Sequence, residues 1–127
     1  DTITKYGKAG PGQEGTVMFI TFHLNGQPFM ALNGGSYFTF TPAISLHVAC
    51  KTQNEIDTLW DKLSDKGEVD QCGWLKDRFG VSWQIDSAAL MAMMLDPDEE
   101  KVERVTRAML EMVKLDVAEL ERAFDGE

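Results

Sequence analysis

A strand, an amphipathic helix and a further strand are predicted in succession between residues 43 and 85, and this order limits the possible folds. Residues 43–50 alternate between apolar and small or polar side chains, which is typical of a strand with two distinct faces. Residues 52–55, Thr-Gln-Asn-Glu, form a capping box that starts a helix, and Gly67 is predicted to end it. The apolar stripe of this helix comprises Ile56, Leu59, Trp60 and Leu63. The sequence therefore predicts an α+β fold.

The second strand of this succession follows a polar turn at residues 76–80. Ser82 and Gln84 alternate with the apolar residues 81, 83 and 85, so the Gln84 amide is predicted on one face of the sheet. Trp83 is predicted on the opposite face, packed beneath the helix. Residues 69–75 are compatible with either a strand or a loop beside it. The pattern of residues 81–85 thus predicts a sheet with one polar face.

A β-hairpin is predicted near the N-terminus. Residues 16–24 alternate as a strand, and residues 25–26, Asn-Gly, favour a type I′ turn because both tolerate positive φ angles. The chain should return through residues 27–33, and two-residue register places Phe22 opposite Phe29. An antiparallel pair is therefore expected before residue 40.

The last third of the chain is predicted to be helical. Ser87 caps a short helix, Asp96 and the residues after it start a second, and Asp116 with Glu119 starts a third. Residues 96–127 contain 11 acidic and 5 basic residues. A solvated outer face explains this excess of carboxylates without a binding site.

Composition excludes several classes of partner. The 127-residue chain has a formal net charge of −9, which opposes binding to nucleic acid or to anionic membranes. Cys50 and Cys72 are too few for a disulfide framework and are expected to be buried thiols, which fits a reducing, cytoplasmic location. No apolar run is long enough to span a bilayer, so a soluble protein is expected.

Three segments together resemble the PhnB-like branch of the vicinal-oxygen-chelate superfamily, which includes glyoxalases and dioxygenases. They are residues 24–35, residues 52–63 and residues 72–85, the last ending in Ser-Trp-Gln-Ile. Members of this branch often carry the label 3-demethylubiquinone-9 3-methyltransferase. The acidic helical tail also resembles theirs. The resemblance spans nearly the whole chain.

The resemblance implies paired βαβββ modules whose curved mixed sheets surround a small-molecule cavity, commonly within a homodimer. One domain, residues 1–127, would contain a partial first module at 1–42, a second module at 43–86 and C-terminal helices at 87–127. We expect the first module to lack its opening strand and helix, since the first six residues resemble the stretch that normally follows them.

Metal-binding members of the superfamily use histidine, glutamate or glutamine on the cavity strands. The resemblance places Ala43 where a histidine is usual, and Gln84 where a glutamate often binds metal. The two histidines, His23 and His47, match neither position, so we expect no metal and no cofactor. A methyl donor is also not expected, because the glycine-rich residues 7–15 do not lie between a strand and a helix as in nucleotide-binding folds.

The candidate cavity residues come from the strand faces and the turns that follow them. Six are selected: Asn33, Ser45, His47, Trp74, Ser82 and Gln84. Three of them have a structural alternative: His47 as a hydrogen-bonded residue near a strand end, Asn33 as a turn residue and Trp74 as a packing residue. Catalytic residues are not identified by the sequence.

The favoured function is binding of a small organic molecule in the sheet cavity of a homodimer, without metal. The main alternative is a metal-dependent isomerase, lyase or dioxygenase-type enzyme that uses Gln84 and His47. A demethylubiquinone-type methyltransferase and a purely structural dimer are further alternatives. The ligand itself depends on pocket shape, which the sequence does not give.

Overall fold

Three antiparallel strands make up the first of two units in the computed structural model, which describes residues 1–127. The units are residues 1–39 and 40–127. The strands of the first unit, in spatial order, are β1 (Thr2–Lys5), β2 (Val17–Leu24) and β3 (Gln27–Leu32).

The hairpin between β2 and β3 confirms the predicted turn and register. Phe22 lies opposite Phe29, and the two rings stack with centroids 5.7 Å apart. Asn25 and Gly26 have φ angles of 48° and 80°, as a type I′ turn requires.

Tyr6 is the buried hydrophobic residue of this unit. Its hydroxyl donates a hydrogen bond to the carbonyl of Asn33 at 2.5 Å. The glycine-rich segment, residues 7–15, folds against its ring, and a Cβ at Gly12 would collide with the ring atoms. Gly10 and Gly12 therefore allow the backbone to pack closely around an aromatic ring.

A four-stranded mixed sheet and four helices form the second unit. Its strands are β4 (Ser45–Cys50), β5 (Glu68–Val69), β6 (Trp74–Lys76) and β7 (Ser82–Ser87), in the spatial order β4-β7-β6-β5. Strands β4 and β7 are parallel, whereas β6 is antiparallel to both of its neighbours. The undecided residues 69–75 contain the end of β5, a loop and the start of β6.

Helix α1 (Gln53–Ser64) packs on one face of this sheet. Thr52 is its N-cap and accepts the Glu55 amide, while the Glu55 carboxylate accepts the Lys51 amide. The core between helix and sheet consists of Cys50, Ile56, Trp60, Leu75 and Ile85, with Trp83 packed against it. Burial of each Leu or Ile side chain contributes roughly 1.5–3 kcal/mol, so this layer holds α1 to the sheet.

The end of α1 differs from the prediction. The helix ends at Ser64, and the residue with a positive φ is Lys66, at 58°, rather than Gly67. Gly67 is needed for a different reason, because a Cβ there would collide with the backbone carbonyl of Lys76. This glycine allows the chain to pass close to β6.

Three further helices follow β7, as predicted. They are α2 (Ala88–Met93), α3 (Glu99–Leu110) and α4 (Val117–Asp125), with N-caps at Ser87, Asp98 and Asp116. Their shared core consists of Leu90, Val105, Met112, Leu115 and Leu120. None of the four helices has the length and apolar character that crossing a membrane requires.

One glutamine connects this helical tail to α1. Gln53 Nε2 donates to the carbonyl of Leu115 at 2.9 Å, and its Oε1 accepts the amide of Val117 at 2.8 Å. Nearby, Lys114 Nζ lies 2.7 Å from Asp57 Oδ1. The start of α4 is therefore held to α1 by polar contacts as well as by Val117, which packs against the core between α1 and the sheet.

Candidate functional site

Cross-strand pairing brings five of the six candidate residues together on one face of the second sheet. His47, Gln84 and Trp74 form one row across β4, β7 and β6. Ser45, Ser82 and Lys76 form the next row. We call this surface the polar face; it consists of Ser45, His47, Trp74, Lys76, Ser82, Gln84 and Asp86. The opposite face carries the apolar core beneath α1.

The alternation predicted from sequence explains this separation. Successive residues of a strand point to opposite faces, so the polar residues of β4 and β7 point away from α1. The parallel register then brings Ser45 beside Ser82 and His47 beside Gln84. Ile44 lies before β4 and is 80% exposed, so it is not part of either face.

A hydrogen bond joins the two rows of the polar face. Gln84 Nε2 donates to Ser45 Oγ at 2.9 Å. The Gln84 carbonyl oxygen makes no side-chain hydrogen bond, and the Ser45 hydroxyl retains its own hydrogen to donate. This pair therefore offers both an acceptor and a donor to a ligand.

His47 pairs with an aspartate that sequence reasoning did not select. The His47 Nε2 and Asp86 Oδ2 atoms are 2.8 Å apart, and Asp86 Oδ1 accepts the Ser87 amide at 2.7 Å. The side chains of His47 and Asp86 are 37% and 22% exposed. Asp86 continues the alternation of Ser82 and Gln84, which is the signal that could have identified it.

Ser82 is buried beside a small cleft. The cleft has a volume of about 110 Å³ and is lined by Pro42, Glu68, Val69, Asp70, Trp74, Leu75, Lys76 and Ser82. Pockets for organic ligands usually have about 300–1,000 Å³. A ligand of that size would therefore lie across the polar face rather than inside this cleft alone.

Asn33 lies in the first unit. Its side-chain Nδ2 donates to the carbonyl of Val17 at 3.0 Å, and its backbone amide donates to Met18. These contacts close the open end of the β2–β3 pair. They give Asn33 a structural role, like the turn role that the sequence left as its alternative. Asn33 also lines an open cleft of about 500 Å³ with Tyr6, Pro11, Gly12, Leu32, Gly34 and Gly35.

The donor atoms of the chain do not form a metal site. No three histidine, cysteine, aspartate or glutamate side chains lie close enough together to hold an ion. Ala43 has no ligating atom, and His47 is already bound to Asp86. His23 is also paired, with Asp1, and is exposed. The residues present therefore do not fit the metal that the superfamily resemblance implies.

Neither cysteine has the surroundings of an activated nucleophile. Burial raises the pKa of the Cys50 thiol, and the nearby Glu55 and Asp86 carboxylates raise it further. Cys72 is only half-buried, contrary to expectation. It lies in the loop between β5 and β6 with a positive φ of 57°, and its amide donates to the carbonyl of Met112. Both cysteines are free thiols.

The architecture is a mixed α+β fold with two open sheets, four helices and no closed barrel, and known proteins share it. The PhnB protein from Bacillus cereus, described only provisionally as a 3-demethylubiquinone-9 3-methyltransferase, is 46% identical. Its solved structure matches with a TM-score of 0.60 over 66% of this chain and 74% of that chain.

A family model described as 3-demethylubiquinone-9 3-methyltransferase matches residues 1–86. Among the curated proteins, none matches this chain. The chain therefore belongs to the 3-demethylubiquinone-9 3-methyltransferase-like (PhnB) family, as the sequence motifs indicated.

Proposed function

We propose that this chain is a glyoxalase-superfamily protein that binds a small organic molecule across the polar face, without metal, as a cytoplasmic homodimer. The observation that carries the proposal is the row of His47, Gln84 and Trp74 across three neighbouring strands. It combines an imidazole, an amide and an aromatic ring. Such a mixture of an apolar wall and a few convergent polar groups is typical of small-molecule sites.

The charges near the polar face favour a neutral ligand. Lys76 Nζ lies 3.7 Å from Glu68 Oε2, and the Asp86 carboxylate lies beside His47. An anionic ligand would have to compete with Glu68 for Lys76 and would meet the negative charge of Asp86. The open carbonyl of Gln84 and the hydroxyl of Ser45 instead suit a ligand that hydrogen-bonds without a formal charge.

A homodimer is supported by the distribution of charge along the sequence. Residues 15–50 contain no aspartate, glutamate, lysine or arginine, although 26% of the whole chain is charged. In the same stretch the aromatic residues Tyr37, Phe38 and Phe40 are 88%, 85% and 67% exposed. Interface cores are depleted of charge and enriched in aromatic residues. Two chains of net charge −9 repel each other least where the contact is made by residues without charge.

The dimer can be tested by sedimentation equilibrium. We expect a mass twice the 14.2 kDa of one chain. Phe38→Asp should shift the equilibrium towards monomer, whereas the exposed Phe79→Asp should not, because Phe79 lies outside the uncharged stretch. A monomer in the unmodified protein would contradict the homodimer.

Enzymatic turnover is the second candidate, supported by the His47–Asp86 pair. A histidine whose second nitrogen is held by a carboxylate is a common general base. Methyl transfer, which the family description names, receives no support from the fold, since no alternating α/β nucleotide-binding unit with a glycine-rich turn is present.

A thermal-shift screen with neutral organic metabolites tests the binding function. We expect at least one compound to raise the melting temperature of the protein. Gln84→Ala should abolish this shift, whereas Asn54→Ala, which removes an exposed amide from α1, should retain it. No stabilising compound, or equal loss in both variants, would contradict the polar face as the binding surface.

Elemental analysis tests the metal-free part of the proposal. The protein is incubated with Mg, Mn, Ni and Zn salts and desalted, and we expect no stoichiometric ion. About one ion per chain that is lost in Gln84→Ala would instead support a metal-dependent enzyme.

A further inference from the structure

The geometry points to His47 as a proton acceptor, oriented by Asp86, for a neutral ligand with an ionisable hydroxyl group, either a phenol or an enol. This inference rests on the proposed function, because it specifies the ligand class of the same polar face. His47 would contact the ligand directly, while Asp86 is a positioning residue.

The hydrogen bonds determine which imidazole nitrogen is free. An ionised carboxylate only accepts hydrogen bonds, so the proton between Nε2 of His47 and Oδ2 of Asp86 belongs to Nε2. The Ser87 amide fixes the other oxygen of Asp86 at 2.7 Å. The neutral ring then carries a lone pair on Nδ1, which makes no hydrogen bond in the structure. This atom is available to a ligand.

The proton transfer balances without a further reactant. The ligand O–H bond breaks, the proton bonds to Nδ1, and the electron pair remains on the ligand oxygen. The resulting imidazolium is charge-paired with Asp86, as in other histidine–aspartate arrangements. A phenol, whose ionisation lies near that of tyrosine at about pH 10, is accessible to an imidazole base, unlike an ordinary alcohol.

The width of the row suits a single planar ring. His47 and Trp74 lie two strand spacings apart, or about 9–10 Å, with Gln84 between them. A ring stacked near Trp74 can extend its hydroxyl group towards His47 while Gln84 accepts or donates a hydrogen bond. Lys76 of the polar face is paired with Glu68 of the neighbouring strand β5, and the Asp70 carboxylate belongs to the cleft beside Trp74.

The experiment uses para-nitrophenol, whose ionised form absorbs visible light, and its methyl ether para-nitroanisole, which has no hydroxyl group. Absorbance is recorded against pH for para-nitrophenol free in buffer and bound to the full chain. We expect the bound phenol to ionise about one pH unit lower than the free phenol, a tenfold change in its ionisation constant.

Two variants separate positioning from folding. Asp86→Asn should abolish the shift, because the amide can no longer stabilise the imidazolium. The same variant should bind para-nitroanisole within about threefold of the affinity of the unmodified protein. Glu68→Gln, which removes a carboxylate from the edge strand β5 of the same sheet, should retain the shift. Binding of the ether verifies that each variant is folded.

Each other outcome overturns the inference in an identifiable way. If both probes bind but the phenol ionises as in buffer, or if Asp86→Asn keeps the shift, the proton-accepting role is wrong and the binding function stands. If neither probe binds saturably, the ligand class is wrong, and the metabolite screen decides the binding function separately.

Discussion

Replacing Gln53 with alanine should lower the free energy of unfolding by about 1–3 kcal/mol. The side chain forms two hydrogen bonds to the tail backbone, one to the Leu115 carbonyl and one from the Val117 amide, at 2.9 and 2.8 Å. Each partly buried hydrogen bond contributes roughly 0.5–1.5 kcal/mol net. The two contributions together give the expected range.

Urea unfolding followed by tryptophan fluorescence measures this loss, since Trp60 and Trp83 belong to or contact the core beneath α1. Asn54→Ala is the matched control and should change stability by no more than about 0.5 kcal/mol, because Asn54 is exposed. Hydrogen exchange at the Val117 amide should accelerate in Gln53→Ala only. A stability loss below about 0.5 kcal/mol, with unchanged exchange at Val117, would refute the role assigned to this glutamine.

Three further predictions concern packing and charge in the second unit. Ile85→Ala should cost about 2–5 kcal/mol in urea unfolding because the side chain is fully buried, whereas Ile44→Ala, at an exposed position, should cost less than about 0.5 kcal/mol. The hydrogen bond between Lys114 and Asp57 lowers the pKa of Asp57 from 3.8 and raises the pKa of Lys114 from 10.5. The pair therefore stabilises the folded state between pH 3.8 and pH 10.5, and this stabilisation is lost as the pH moves outside that range. Lys114→Met should therefore lower the urea midpoint at pH 7, and the difference from the unmodified protein should be smaller at a pH below 3.8. An equal difference under the two conditions would contradict the pairing. Gly67→Ala should lower the melting temperature, at a cost of about 1–3 kcal/mol, because the new methyl group meets a backbone carbonyl of β6; an unchanged melting temperature would refute this contact.

Local patterns predicted most of the secondary structure because they depend on neighbouring residues. The Asn25-Gly26 dipeptide has the φ angles of the predicted turn, and Thr52, Ser87 and Asp116 cap helices as predicted. The end of α1 was predicted less well, because the need for Gly67 arises from contact with β6 rather than from helix capping.

The candidate site was less accessible to sequence analysis because it depends on long-range register. Alternation alone placed Ser82 and Gln84 on one face, but the parallel pairing of β4 with β7 brings His47 beside Gln84 and Asp86. These residues are nearly 40 positions apart in sequence. The role of Asn33 was undecided for the same reason, since its partner Val17 lies on the neighbouring strand, 16 positions earlier in the sequence.

The indole N–H signals of the three tryptophans provide the most direct test of binding at the polar face. Trp74 lies on that face, whereas Trp60 is a buried residue of α1 in the core against the sheet, and the indole N–H of Trp83 donates to Asp77 at 2.9 Å. We would record ¹⁵N-labelled protein by NMR during titration with the most stabilising metabolite of the screen. We expect a saturable shift of the Trp74 signal while the signals of Trp60 and Trp83 stay in place. A static Trp74 signal, with movement of either of the other two, would rule out binding at the polar face.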